Sequence, residues 1–114
     1  MRESVIEARL KKLEQYGFKV IKLRTPGVNG VPDRMILRPV YAPGSPYFVE
    51  IKAPGKTERA LQEAVREDWK RRGMIVLSMC DTIEKVDALV QDLQSRCGHL
   101  RLSRIYVHSR TYVL

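Results

Sequence analysis

The sequence predicts a single α/β domain, a mixed sheet flanked by helices, and three observations carry that reading. Apolar residues recur at helical spacing in three segments. Four short apolar runs of strand character lie between them, two joined by a connection rich in Pro and Gly. One helix-length segment separates the third run from the fourth, the pattern of a crossover within one sheet. The order is α-β-β-β-α-β-α, and 114 residues with 44% hydrophobic content suffice for one buried core.

Each element has its own signal. Residues 2–16 set Ile6, Leu10 and Leu13 on one stripe, with Val5 beside them, on an otherwise charged helix that Gly17 ends. Residues 18–23 read as a strand with Phe18, Val20 and Leu23 inward, followed by the turn-rich loop 25–32. Residues 33–38 and 47–53 form an expected antiparallel pair, joined through Pro39, Pro43, Gly44 and Pro46. A second helix runs over 57–72 with Thr57 as its N-cap, Leu61, Ala64, Val65 and Trp69 as its apolar positions, and Gly73 at its end. Trp69 is expected in the core against Leu61 and Val65, and Lys70, Arg71 and Arg72 as a cationic helix end opposing the dipole. Residues 74–79 make a fourth strand. Asp81 or Thr82 caps a third helix with Ile83, Val86, Leu89, Val90 and Leu93 inward, ending near Cys97.

Residues 1–97 thus form the domain, and 98–114 are a basic extension. This tail alternates polar and apolar residues imperfectly, compatible with one or two further strands or with a dimer arm. After Asp92 no acidic residue occurs, whereas Arg96, Arg101, Arg104 and Arg110 do.

Composition narrows the partners. A net charge of +8 favours polyanions, nucleic acid foremost. The N-terminal residues carry no apolar signal core, and no run is long enough to span a bilayer, so a cytoplasmic protein without membrane association is expected. Cys80 and Cys97 lack metal-site or disulfide spacing and read as buried thiols.

The informative constellation is Gly30-Val-Pro-Asp33 followed by Phe48-Val-Glu50-Ile-Lys52. Alternation along a strand sends Glu50 and Lys52 to one face while Val49 and Ile51 enter the core. A central apolar strand rarely carries two charges without a partner, and hairpin pairing brings Asp33 to the same end of the sheet as Glu50. Two carboxylates suit Mg²⁺ or Mn²⁺, and a lysine beside them can stabilise the charge that builds during phosphodiester hydrolysis. Short carboxylate and lysine spacings also arise by chance, with a surface ion pair as the alternative.

Further residues extend the match. Glu3-Ser-Val-Ile-Glu7, Gly30-Val-Pro-Asp33-Arg34, Val49-Glu50-Ile51-Lys52-Ala-Pro-Gly55, Leu61-Gln62 and Gly73 together resemble the virus-type replication-repair nuclease (VRR-NUC) domains of the PD-(D/E)XK superfamily, over roughly residues 3–93. The resemblance implies a restriction-endonuclease-like fold. It also implies Asp33, Glu50 and the main-chain carbonyl of Ile51 as metal ligands, Lys52 as the catalytic lysine and Gln62 as a further active-site residue. For the acidic residue that the family takes from its first helix, Glu7 is chosen because it borders the apolar stripe; Glu3 lies one turn away on the same face. Lys22, Arg24, Arg34, Lys56 and Arg59 flank the site and are nominated for DNA contact.

The implied activity is metal-dependent endonucleolytic cleavage of branched or junction DNA in replication or repair, in a bacterial or phage-infected cell. One active site per 114-residue chain makes a homodimer the expected form for cutting two symmetric strands. Two other classes stay open: a non-catalytic DNA-binding module of the same fold, and a structural partner protein without salt-dependent DNA affinity.

Overall fold

In the computed structural model, residues 3–24, 29–53 and 60–97 are described. Helix α1 (Glu3–Leu10) leads into a 3-10 segment (Lys11–Tyr16), then strands β1 (Lys19–Lys22), β2 (Arg34–Leu37) and β3 (Tyr47–Val49), helix α2 (Ala60–Arg71), strand β4 (Ile75–Val76) and helix α3 (Ile83–Arg96). The four strands form one sheet in the order β1-β2-β3-β4, the first two pairings antiparallel and the third parallel. The expected element order is the observed one. The expected cap Thr57, the start of helix 57–72 and the tail 98–114 lie outside the described residues.

The first helix departs from the single α-helix expected over 2–16. After Leu10 it tightens to three residues per turn, which stacks Leu10, Leu13 and Tyr16 on one side. Leu10 and Leu13 are fully buried and Tyr16 packs against the same core. Gly17 then closes the helix with φ +90°, its N–H directed at the carbonyls of Glu14 and Leu13. Only a residue without Cβ adopts that backbone cheaply.

The core lies between the sheet and the pair α1 and α3. Ile6, Leu10 and Leu13 meet Ile36, Tyr47, Val49 and Ile51 from the sheet and Val86 and Leu93 from α3. Arg9 and Asp87 join α1 to α3 at 3.1 Å. On α3 the Thr82 side chain accepts the Lys85 N–H, so Thr82 is the cap of the two candidates.

Helix α2 covers the other face, where β3 turns Phe48. Trp69 meets Phe48 edge to face, with ring centroids 5.0 Å apart. Trp69, expected in the core against Leu61 and Val65, is only half buried, and Leu61 is exposed. Strand β3 is therefore buried on both faces, as a strand between a parallel and an antiparallel neighbour should be. Among the described residues no helix is long and apolar enough to cross a membrane.

Candidate active site

The site forms where the β2–β3 ladder ends. The last paired residues are Arg34 and Val49, and the next rung is built from side chains. The Asp33 N–H donates to Glu50 Oε1 at 3.1 Å, and the Ile51 N–H donates to Asp33 Oδ1 at 3.1 Å. On its other edge the chain stays in register with the strand that follows α2: the Cys80 N–H donates to the Glu50 carbonyl and the Lys52 N–H to the Cys80 carbonyl, each at 2.9 Å. Residues 50–52 are thus extended and fixed on both sides, although the ladder proper stops at Val49 rather than running to residue 53 as expected.

Alternation then assigns the faces. Val49 and Ile51 are buried in the core beneath α1 and α3, so Phe48, Glu50 and Lys52 share the face toward α2. Lys52 Nζ lies 3.4 Å from Glu50 Oε2. Gln62, in the first turn of α2, donates from Nε2 to the same oxygen at 3.1 Å. An extended residue sends its N–H and C=O to the same edge, so the Ile51 carbonyl emerges beside the Asp33 carboxylate that holds its N–H. Asp33, Glu50, Ile51, Lys52 and Gln62 are therefore together.

Asp33 is anchored from four directions. Besides the two bonds already given, its carbonyl accepts the Leu23 N–H at 2.8 Å, and its Oδ2 lies 2.9 Å from Arg34 NH1. The preceding turn is held against α2 at Gly30, whose φ is +82°. A Cβ there would stand 3.0 Å from Val65 Cγ2 and 3.1 Å from the Leu61 carbonyl, so glycine is what lets the Asp33 loop approach the helix that carries Gln62. Asn29, Gly30, Lys52, Leu61 and Gln62 line an open cavity of about 340 Å³ beside the carboxylates.

Burial raises the Asp33 pKa, opposed by the Ile51 N–H and Arg34 and reinforced by Glu3. Burial also raises Glu50, with the Asp33 charge as the next cause and Lys52 opposing. Glu7 and Glu3 both reach Arg34 NH2, at 3.4 and 3.8 Å. Among the described residues Arg34 is thus paired with the carboxylates of Asp33, Glu7 and Glu3, and Lys52 with that of Glu50. The hard oxygens of Asp33, Glu50 and Ile51 fit Mg²⁺ or Mn²⁺, which keep several waters and need only one or two carboxylates. A closed protein cage is absent: among the described residues no three His, Cys, Asp or Glu side chains cluster for a metal.

The nominated DNA contacts separate into three groups. Lys22 and Arg24 are exposed and flank Leu23, which is bonded to Asp33. Lys56 and Arg59 lie outside the described residues. Arg34 is not on the surface as expected: it is 1% exposed and enclosed by Asp33, Glu7 and Glu3, because it points with Ile36 and Val49 toward α1. Sequence reasoning passed over Arg66, one helical turn beyond Gln62, which lines a cleft with Glu50 and Gln62. The i, i+4 spacing from Gln62 was the signal available for it.

A scan against models of protein families and a search of curated proteins both find no match. Among solved structures, one described as a "VRR_NUC domain" superposes with a TM-score of 0.66 at 27% identity, covering 78% of this chain and 94% of that one. The mixed four-stranded sheet with flanking helices described above is consistent with that fold. The chain has the fold of a VRR_NUC domain, a nuclease-type fold.

Proposed function

We propose that this protein is a divalent-metal-dependent, structure-specific DNA endonuclease. The observation that carries the reading is the reciprocal lock between Asp33 and the Glu50–Ile51 segment, with Lys52 and Gln62 both directed at Glu50. Asp33, Glu50 and the Ile51 carbonyl would hold Mg²⁺ or Mn²⁺, with Glu7 and Glu3 of α1 linked to Asp33 through Arg34. A divalent ion held by these oxygens would supply an acidified water for attack on the phosphodiester and would offset charge on the phosphoryl oxygens.

The protein's own groups divide the remaining work. Lys52, fixed at its main chain by Cys80, offsets the negative charge that develops as the phosphorus is attacked. Gln62 holds Glu50 Oε2 in one orientation, so the carboxylate plane is set before substrate arrives. Lys22 and Arg24, exposed next to Asp33, and Lys56 and Arg59 serve as phosphate contacts that position the backbone without reading bases.

Branched or junction DNA is the proposed substrate, with a role in replication or repair in a bacterial or phage-infected cytoplasm. The small size of the chain and its single site motivate a homodimer acting on two strands. Light scattering at micromolar concentration tests the dimer, and a monomeric mass would refute it. The activity is tested by incubating labelled four-way junction, flap, nicked duplex and single-stranded DNA with Mg²⁺ and with Mn²⁺. Cutting of the branched substrates that disappears in EDTA supports the reading; binding without cutting in either metal refutes it and leaves a DNA-binding module.

A further inference from the structure

We infer that Arg34 is a positioning residue that gathers the carboxylates of two separate elements around the candidate metal centre, rather than a contact to DNA; this rests on the nuclease reading above. The side chain is 1% exposed, which removes it from any phosphate. Its NH1 holds Asp33 twice, at the carboxylate Oδ2 at 2.9 Å and at the main-chain carbonyl at 3.2 Å. Its NH2 faces the helix-α1 carboxylates, Glu7 at 3.4 Å and Glu3 at 3.8 Å. One guanidinium therefore spans the gap between the Asp33 turn and α1.

The geometry of this bridge favours arginine. A guanidinium is planar, forked and charged at any working pH, whereas lysine offers one compact ammonium that cannot serve both sides at once. Burial of a cation is costly unless it is paired, and here three carboxylates pair it. Among the described residues the buried Nε has no hydrogen-bond partner, so the side chain gives up one donor to place NH1 and NH2 where they bridge. Without the bridge, Glu3, Glu7 and Asp33 would repel one another, and α1 would lose its electrostatic tie to the site. The packing of Ile6 and Leu10 fixes where α1 lies; Arg34 fixes which way its acids point.

The test uses the full chain carrying Arg34→Lys, Arg34→Met, Glu7→Gln, or Arg34→Met with Glu7→Gln. For Arg34→Lys, DNA affinity measured by anisotropy in Ca²⁺, and its salt slope, should match the unaltered chain. Its kcat should fall by about tenfold or more with KM held, and Mn²⁺ should bind more weakly in an EPR titration. Arg34→Met should lower Tm, and adding Glu7→Gln should recover part of that loss, since one stranded carboxylate is removed. The inference is overturned if Arg34→Lys keeps full kcat and Mn²⁺ affinity, if the salt slope drops by about one phosphate contact, or if Glu7→Gln restores nothing. If the unaltered chain cuts no DNA, the nuclease reading fails, while the Mn²⁺ titration and the Tm comparison still decide the role of Arg34.

Discussion

Asp33 donates its main-chain N–H to Glu50 Oε1 at 3.1 Å, and the residue after Glu50 returns an N–H to Asp33 Oδ1 at the same distance. The two acids are therefore held as one unit, 17 residues apart in sequence, at the end of a ladder whose last regular rung is Arg34 with Val49. Both pKa values are raised, chiefly by burial, and at Glu50 the Asp33 charge adds to the rise.

Stability should therefore be given up at Glu50 for function. A carboxyl whose folded pKa lies above its unfolded value favours folding when protonated, and that advantage is lost as pH rises through the folded pKa. Glu50→Gln should then have a Tm equal to or above that of the unaltered protein at pH 7. The difference should shrink as pH falls through the raised folded pKa toward the ordinary value of 4.5. Cleavage should drop by at least about a hundredfold. Thermal melts across pH 4 to 7.5 (about that range, bracketing the shift) check the first part, and initial rates check the second.

Metal should reverse the same destabilisation. A ligand that binds only the folded state adds about 2.7 kcal/mol at a hundred times its Kd, which moves the Tm of a domain this small by several degrees. Mg²⁺ and Mn²⁺ should each raise Tm, and the rise should vanish in Glu50→Gln and be reduced in Asp33→Asn. Differential scanning fluorimetry with and without EDTA measures it without any DNA present.

Gly30 joins the Asp33 turn to the helix that carries Gln62. Gly30→Ala combines a φ of +82° with a Cβ 3.0 Å from Val65 Cγ2 and 3.1 Å from the Leu61 carbonyl. The cost should be on the order of 2 kcal/mol, read as a lower midpoint in urea. Because the clash parts the turn from α2, cleavage should fall further than in a core variant with the same urea midpoint.

Gln62 separates orientation from charge. Gln62→Ala removes one donor to Glu50 Oε2 and should reduce kcat by about tenfold. Gln62→Glu sets a third carboxylate against Glu50 and should do more harm, with Mg²⁺ required at higher or lower concentration according to whether repulsion or extra ligation dominates the loss. Initial rates over a metal series compare the two variants, and equal activity of Gln62→Ala and the unaltered chain would remove Gln62 from the site.

Much of this was legible before the fold was known, and the reason is periodicity. Strand alternation alone sends Glu50 and Lys52 away from Val49 and Ile51, and the stripe Ile6, Leu10, Leu13 locates the first helix against the core. What sequence could not show was long-range closure. The burial of Arg34 depends on α1 crossing the same sheet face that Ile36 and Val49 occupy, and nothing local to Arg34 distinguishes that from an exposed strand end. The 3-10 turn after Leu10 was hidden because a stripe at spacings of three and four fits both helix types until Gly17. The ring partner of Trp69 depended on where α2 lies across β3, which set Phe48 edge to face with it.

The most direct test of the assignment is cleavage of a labelled four-way junction in Mg²⁺ and Mn²⁺ by the unaltered chain beside Asp33→Ala, Glu50→Gln and Lys52→Ala, with DNA affinity measured on each preparation. The expected result is metal-dependent cutting by the unaltered chain, lost in all three variants while binding persists. Equal cutting by the variants, or binding with no cutting at all, would contradict a catalytic role for the Asp33, Glu50 and Lys52 cluster.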